Sequence, residues 1–134
     1  MFDHIDHIGI AVDDMQSAIS MYQKNFGLSV AHDEIVASQG THAVFLSAPS
    51  GPDLELLGSL GPETPIGKFL SKRGPGMHHI CYAVPDLEAA IAKCLADGLQ
   101  MIDEVPRIGA KNKRLAFIHP KAVGRVLIEL YESP

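Results

Sequence analysis

Four side chains able to hold a cation or move a proton interrupt runs that are otherwise apolar and strand-like. They are His7 in DHIGIAV, Glu55 in LELL, His79 in HHICYAV and Glu129 in VLIEL. Alternation along a strand places His7 beside Gly9 and Ala11, and His79 beside Cys81 and Ala83. It leaves Ile8, Ile10 and Val12, and likewise Ile80, Tyr82 and Val84, to face a helix. An unpaired carboxylate buried in such a strand costs several kcal/mol, so Glu55 and Glu129 need partners. Any one such histidine or glutamate is ordinarily a hydrogen-bonded or solvated residue. Two imidazoles and two carboxylates at related places form a divalent metal site instead. A mixed nitrogen and oxygen set suits Co²⁺, Zn²⁺, Mn²⁺, Ni²⁺ or Fe²⁺ better than an oxygen-only cage would, with Mg²⁺ a further candidate.

The places are related because the chain repeats itself. At a constant offset of 72, His7 matches His79 and Ile8 matches Ile80, while Ala11-Val12 matches Ala83-Val84. Asp14 matches Asp86, Ala18-Ile19 matches Ala90-Ile91, and Phe45 matches Phe117. Leu54-Glu55-Leu56 is echoed by Ile128-Glu129-Leu130 at an offset of 74. Two copies imply a fused pseudo-dimer rather than a solenoid.

Each copy reads β-α-β-β-β. Ile5–Val12 is β-branched and strand-like, and Asp14 caps a helix with Met15, Ala18, Ile19, Tyr22 and Phe26 at helical spacing, stopped by Gly27. Strands are expected at Leu28–Val36, His42–Ala48 and Asp53–Leu57. In the second copy a strand at His79–Val84 precedes a helix from Asp86 to Ala96, closed by Gly98. Further strands are expected near Gln100, at Leu115–His119 and at Val126–Tyr131. The expected fold is thus α+β, one domain of two pseudo-symmetric modules forming a metal-binding cleft. Module one spans about 4–60, a linking helix about 64–73, and module two about 77–132.

Composition narrows the class. The 134 residues are 46% hydrophobic and 20% charged, as expected for one globular domain. A net charge of −5 gives the wrong sign for general attraction to nucleic acid or an anionic membrane. No run approaches the ~20 apolar residues of a membrane span. Met1-Phe2-Asp3-His4 leads straight into a strand, unlike a secretory or transit peptide. Cys81 and Cys94 make no disulfide framework. A soluble, cytoplasmic protein is expected.

Beyond the ligand set, several segments resemble the methylmalonyl-CoA epimerase family of the vicinal oxygen chelate (glyoxalase-like) superfamily. They are DHIGIAV, Gln39-Gly40, LELL, PIGKFL at Pro65–Leu70, GMHHI at Gly76–Ile80, DEVPRIGA at Asp103–Ala110, FIHPK at Phe117–Lys121 and VLIEL at Val126–Leu130. Together they cover nearly the whole chain.

The resemblance implies a glyoxalase fold and epimerisation at C2 of methylmalonyl-CoA between its 2R and 2S forms. A divalent metal ligated by His7, Glu55, His79 and Glu129 would stabilise the enolate. Glu129 would double as the catalytic base. One branch of the family carries a catalytic Glu where this chain has Ala43, beside His42. The second acid/base group is therefore open between Glu55, a metal-bound water, and relays through Ser47 or His119. Lys111, Lys113, Arg114 and Lys121 are candidates for the coenzyme A phosphates, and a homodimer is expected by analogy. The nearest rival is a glyoxalase I-type lyase. A ring-cleaving dioxygenase of this fold would keep three ligands, and a metal-free sequestering protein would need an aromatic cleft that a chain without Trp ill supplies.

Overall fold

Local signals decide where each element begins and ends. The structure is a computed structural model describing residues 2–134; Met1, first in the N-terminal run, lies outside the described residues. The elements are β1 (His4–Ala11), α1 (Met15–Phe26), β2 (Ser29–Val36), β3 (Thr41–Ser47), β4 (Asp53–Ser59) and α2 (Pro65–Arg73). They continue with β5 (Gly76–Val84), α3 (Leu87–Ala96), β6 (Arg107–Ile108), β7 (Arg114–Ile118) and β8 (Ile128–Glu132). Asp14 stays extended and its carboxylate accepts from the Ser17 N–H at 3.1 Å, so α1 starts there. Gly27, at φ +68°, ends it in the left-handed conformation that glycine adopts without strain. Asp86 repeats the device, accepting from the Ala89 N–H at 3.0 Å. Among the described residues no helix is long and apolar enough to cross a membrane.

The chain packs as two units, one of residues 8–78 and the other of residues 2–7 with His79–Pro134. In the 8–78 unit the strand order is β2-β3-β4-β1, with β2, β3 and β4 antiparallel. One face buries Val12, Val44, Leu46 and Leu56 against Met15, Ala18, Ile19 and Tyr22 of α1. On the other, Ala11 and Leu57 pack on Ile66, Phe69 and Leu70 of α2. Phe26, expected on the apolar stripe of α1, lies at the helix end and is 67% exposed.

In the other unit the order is β1-β5-β8-β7-β6, with β5 and β8 parallel and β7 antiparallel to both β8 and β6. Leu87, Ala90, Ile91 and Cys94 of α3 cover Val84, Ala116, Ile118, Ile128 and Leu130, with Ile80 and Tyr82 alongside. Glu132 ties the end of β8 to α3: it accepts from the Leu87 N–H at 3.0 Å and from Arg114 at 2.8 Å. The strand expected near Gln100 reduces to a single bridge, Met101 to Ile118. Just after it, the Asp103 carboxylate takes the Phe117 N–H at 2.9 Å, and Pro106 precedes the two-residue β6. A side chain occupying the ladder and a residue without a donor keep this strand short.

The repeat survives as an identical ladder inside each unit. Phe45 pairs with Glu55 and Val44 with Leu56; Phe117 pairs with Glu129 and Ala116 with Leu130. The offset grows from 72 to 74 because the β7–β8 connection is longer than the β3–β4 connection.

Gly67 in α2 tests how tightly this helix is seated. A Cβ there would stand 2.2 Å from the Gly61 carbonyl oxygen and 2.9 Å from the Pro62 Cα. Helix propensity alone would make Gly67→Ala stabilising by about 1 kcal/mol. The backbone clash reverses that sign, and thermal unfolding should show a lowered Tm. Asp14→Ala should likewise lower the Tm, through loss of the cap on α1.

Candidate metal centre

Three of the four sequence-selected ligands converge within one unit. The N-terminal part of β1 supplies His7, β5 supplies His79 and β8 supplies Glu129. The parallel register sets Glu129 beside Cys81, two residues from His79 and on the face turned away from α3. The Nε2 atoms of His7 and His79 are 3.2 Å apart. The Glu129 Oε1 lies 3.0 Å from the His79 Nε2 and 3.3 Å from the His7 Nε2. His79 also meets the Phe117 ring edge-on, with centroids 6.0 Å apart. All three residues are buried, at 3–6% exposure.

Neighbouring groups set the protonation of this cluster. Burial alone would push the Glu129 carboxyl up, but hydrogen bonds to His7 and His79 outweigh it and hold the group well below the usual carboxylate range. Asp6 stands 2.8 Å from the His7 Nδ1. Its carboxyl is desolvated, yet the hydrogen bond and the charge of His7 keep it below its ordinary value. An acceptor at Nδ1 keeps a proton there, which leaves Nε2 as the ring atom that would meet a metal ion once its own proton is displaced. Burial, with the Glu129 charge beside it, pushes the Cys81 thiol up to about 12, so it stays protonated and unreactive.

The donors fit a divalent ion. Ligands each about 2.1 Å from one ion, at angles of 90–109°, lie about 3.0–3.4 Å apart, the range spanned by these three atoms. Asp6 escaped notice in the sequence; its signal is the acid immediately before a ligand-type histidine, the carboxylate–imidazole pairing common behind metal ligands.

Glu55 stands in the 8–78 unit, on β4 and 6% exposed. Its pairing with Phe45 reproduces that of Glu129 with Phe117. Ala43 is buried on β3 between Glu34 of β2 and Leu57 of β4. Ser47 ends β3 opposite Ser29, and His42 pairs with Asp33 at 2.7 Å. The His119 Nδ1 accepts from the Lys121 N–H, which commits that atom to capping a turn.

The basic residues fall in and after a tight loop. Lys111 and Asn112 both adopt positive φ, at 59° and 56°. The Lys113 ammonium sits 5.3 Å from the centre of the Tyr131 ring. Arg114 is engaged with Glu88 and Glu132. Lys121 is exposed on the short turn Pro120–Ala122.

Residues 6–117 match the model of the glyoxalase/bleomycin resistance protein/dioxygenase superfamily. The chain belongs to that superfamily. An ethylmalonyl-CoA/methylmalonyl-CoA epimerase of Cereibacter sphaeroides is 35% identical over 132 residues, covering 97% of this chain and 98% of the relative. The crystal structure of methylmalonyl-CoA epimerase from Mycobacterium tuberculosis superposes with a TM-score of 0.95 at 39% identity, over 99% of this chain and 90% of that one. A serine-to-threonine variant of the Streptomyces coelicolor methylmalonyl-CoA epimerase, in complex with 2-nitronate-propionyl-CoA, gives a TM-score of 0.95 at 33% identity. It is covered over 96% of its length, and this chain over 99%. The glyoxalase-like fold expected from the sequence is the fold of these superfamily members.

Asp6→Asn should weaken divalent-ion binding by about 10–100-fold, since the amide no longer enforces the His7 tautomer. Competition against a chromophoric chelator measures it, and the variant should keep the circular dichroism of the parent.

Proposed function

We propose that the chain is a metal-dependent epimerase that interconverts the 2R and 2S forms of methylmalonyl-CoA. The observation carrying this reading is the buried His7–His79–Glu129 cluster, in a chain alike over its length to proteins named methylmalonyl-CoA epimerase. Glu55 is proposed as the fourth ligand. Its support is the repeat, which gives it the same ladder partner and the same burial as Glu129.

The substrate's C2 proton is flanked by a thioester and a carboxylate, and its removal leaves charge that spreads onto oxygen. A divalent ion held by this set supplies Lewis-acid stabilisation of that charge. The chain's own groups handle the proton. Glu129 is assigned to C2: the two imidazoles favour its ionised form, the state a base requires. Asp6 holds His7 in one orientation and so keeps the donor atoms pre-arranged. Lys111, Lys113 and Lys121 are proposed to meet the anionic coenzyme A moiety, with Arg114 already bound to Glu88 and Glu132.

Incubation of metal-loaded protein with (2R)-methylmalonyl-CoA should bring the two epimers to equilibrium, and chelation should stop it. Glu129→Gln should lower the rate by about 100-fold or more, the usual scale for loss of an acid/base group. Failure to interconvert the epimers with metal demonstrably bound would sink this assignment.

A further inference from the structure

Arg107 belongs to the same unit as His7, His79 and Glu129, and the strand ladder turns it to their side of the sheet. It pairs with Leu115 across β6 and β7, and Phe117 pairs with Glu129 across β7 and β8. Directly opposed residues point to one side of a sheet, as do residues two apart on a strand. Arg107, Leu115, Phe117 and Glu129 therefore share a face. Ala116 and Ile118 turn to the other, under α3. Arg114, opposite Ile108, is already bound to Glu88 and Glu132.

The Arg107 guanidinium is held in place before any ligand arrives. Its carbon stands 4.9 Å from the centre of the Phe117 ring, a cation–π contact. Its Nε and Nη2 donate to the Asp103 Oδ2 at 3.1 and 3.0 Å. The same oxygen takes the Phe117 N–H at 2.9 Å, which ties carboxylate, ring and guanidinium together. Phe117 in turn meets the His79 ring edge-on, with centroids 6.0 Å apart. Among the described residues the Arg107 Nη1 has no hydrogen-bond partner, and the side chain is 41% exposed. One side of the planar fork is thus engaged by Asp103, and the other is open to an oxyanion. In the 8–78 unit the same ladder place, opposite Ala43, belongs to Glu34. A cation here is therefore a feature of one copy and is not imposed by the repeat.

Resting on the epimerase reading, we propose that Arg107 receives the free carboxylate of the substrate, and so selects acyl-CoA esters that bear a carboxylate on C2 over those that do not. The carboxylate is bonded to C2, the atom that must lie at the metal cluster. The coenzyme A phosphates stand at the far end of the pantetheine arm. Phe117 touches both the guanidinium and His79, so it spans the step from the cation to the cluster. Asp103 acts through Arg107 by fixing the direction of its fork. The guanidinium stays charged throughout, and no proton moves in this contact.

The test compares the binding of methylmalonyl-CoA and of propionyl-CoA, which lacks the C2 carboxylate, by titration calorimetry. The proteins are metal-loaded wild type, Arg107→Ala and Arg107→Lys. Arg107→Ala should weaken methylmalonyl-CoA binding about 10–100-fold, the scale of a lost hydrogen bond between charged groups. It should leave propionyl-CoA within a few-fold of wild type. Arg107→Lys should recover only part of the loss, because an ammonium lacks the fork. Both variants should keep the circular dichroism and the Co²⁺ affinity of the parent. Methylmalonyl-CoA bound equally well by wild type and Arg107→Ala would overturn the proposal. Equal weakening of both esters would also overturn it, and would assign Arg107 to the coenzyme A phosphates. Wild-type protein that neither binds methylmalonyl-CoA nor interconverts its epimers would instead remove the epimerase reading itself, and this proposal with it.

Discussion

Burial of a carboxylate against two imidazoles is the constraint on which the rest depends. Glu129 sits in a strand whose other face lies under a helix, where water cannot offset its charge. Hydrogen bonds to His7 and His79 more than compensate its desolvation in the protein alone. Those bonds require β1, β5 and β8 to keep their relative positions. The Glu132–Arg114–Glu88 network and the Leu87 N–H bond fix the end of β8, and the α3 core fixes the face behind it. The cluster is thereby placed on strands and not on loops, which is where a pre-arranged site is best held.

Each unit carries its own buried carboxylate, Glu55 in one and Glu129 in the other. The same Phe–Glu ladder recurs in each unit, so an ancestral strand pair that buries one carboxylate yields two. The copies then diverge where function need not be symmetric. Glu34 in one takes the ladder place of Arg107 in the other, and the strand that opens the second copy's sheet edge shrinks to two residues beside Asp103.

Much of this was legible in the sequence, for identifiable reasons. The caps at Asp14, Thr64 and Asp86 and the stop at Gly27 are short-range signals, so the helices fall where their capping residues stand. Period-two alternation separates the helix-facing residues from His7 and His79, and the offset of 72 relates these two histidines to each other. The Asp103 side chain's capture of the Phe117 N–H is a tertiary event that no local pattern encodes, so the strand expected near Gln100 reduces to a single bridge. Asp6 gives no signal in the alternation, because its partner is its own neighbour, His7.

A buried cluster of two imidazoles and a carboxylate should take up a divalent ion. Titration of metal-stripped protein with Co²⁺, followed by its visible absorption, tests it most directly. Saturation at one ion per chain is expected, with a spectrum of nitrogen and oxygen ligands that is lost in His79→Ala and altered in Glu129→Gln. Absence of saturable binding, or binding indifferent to both substitutions, would contradict it.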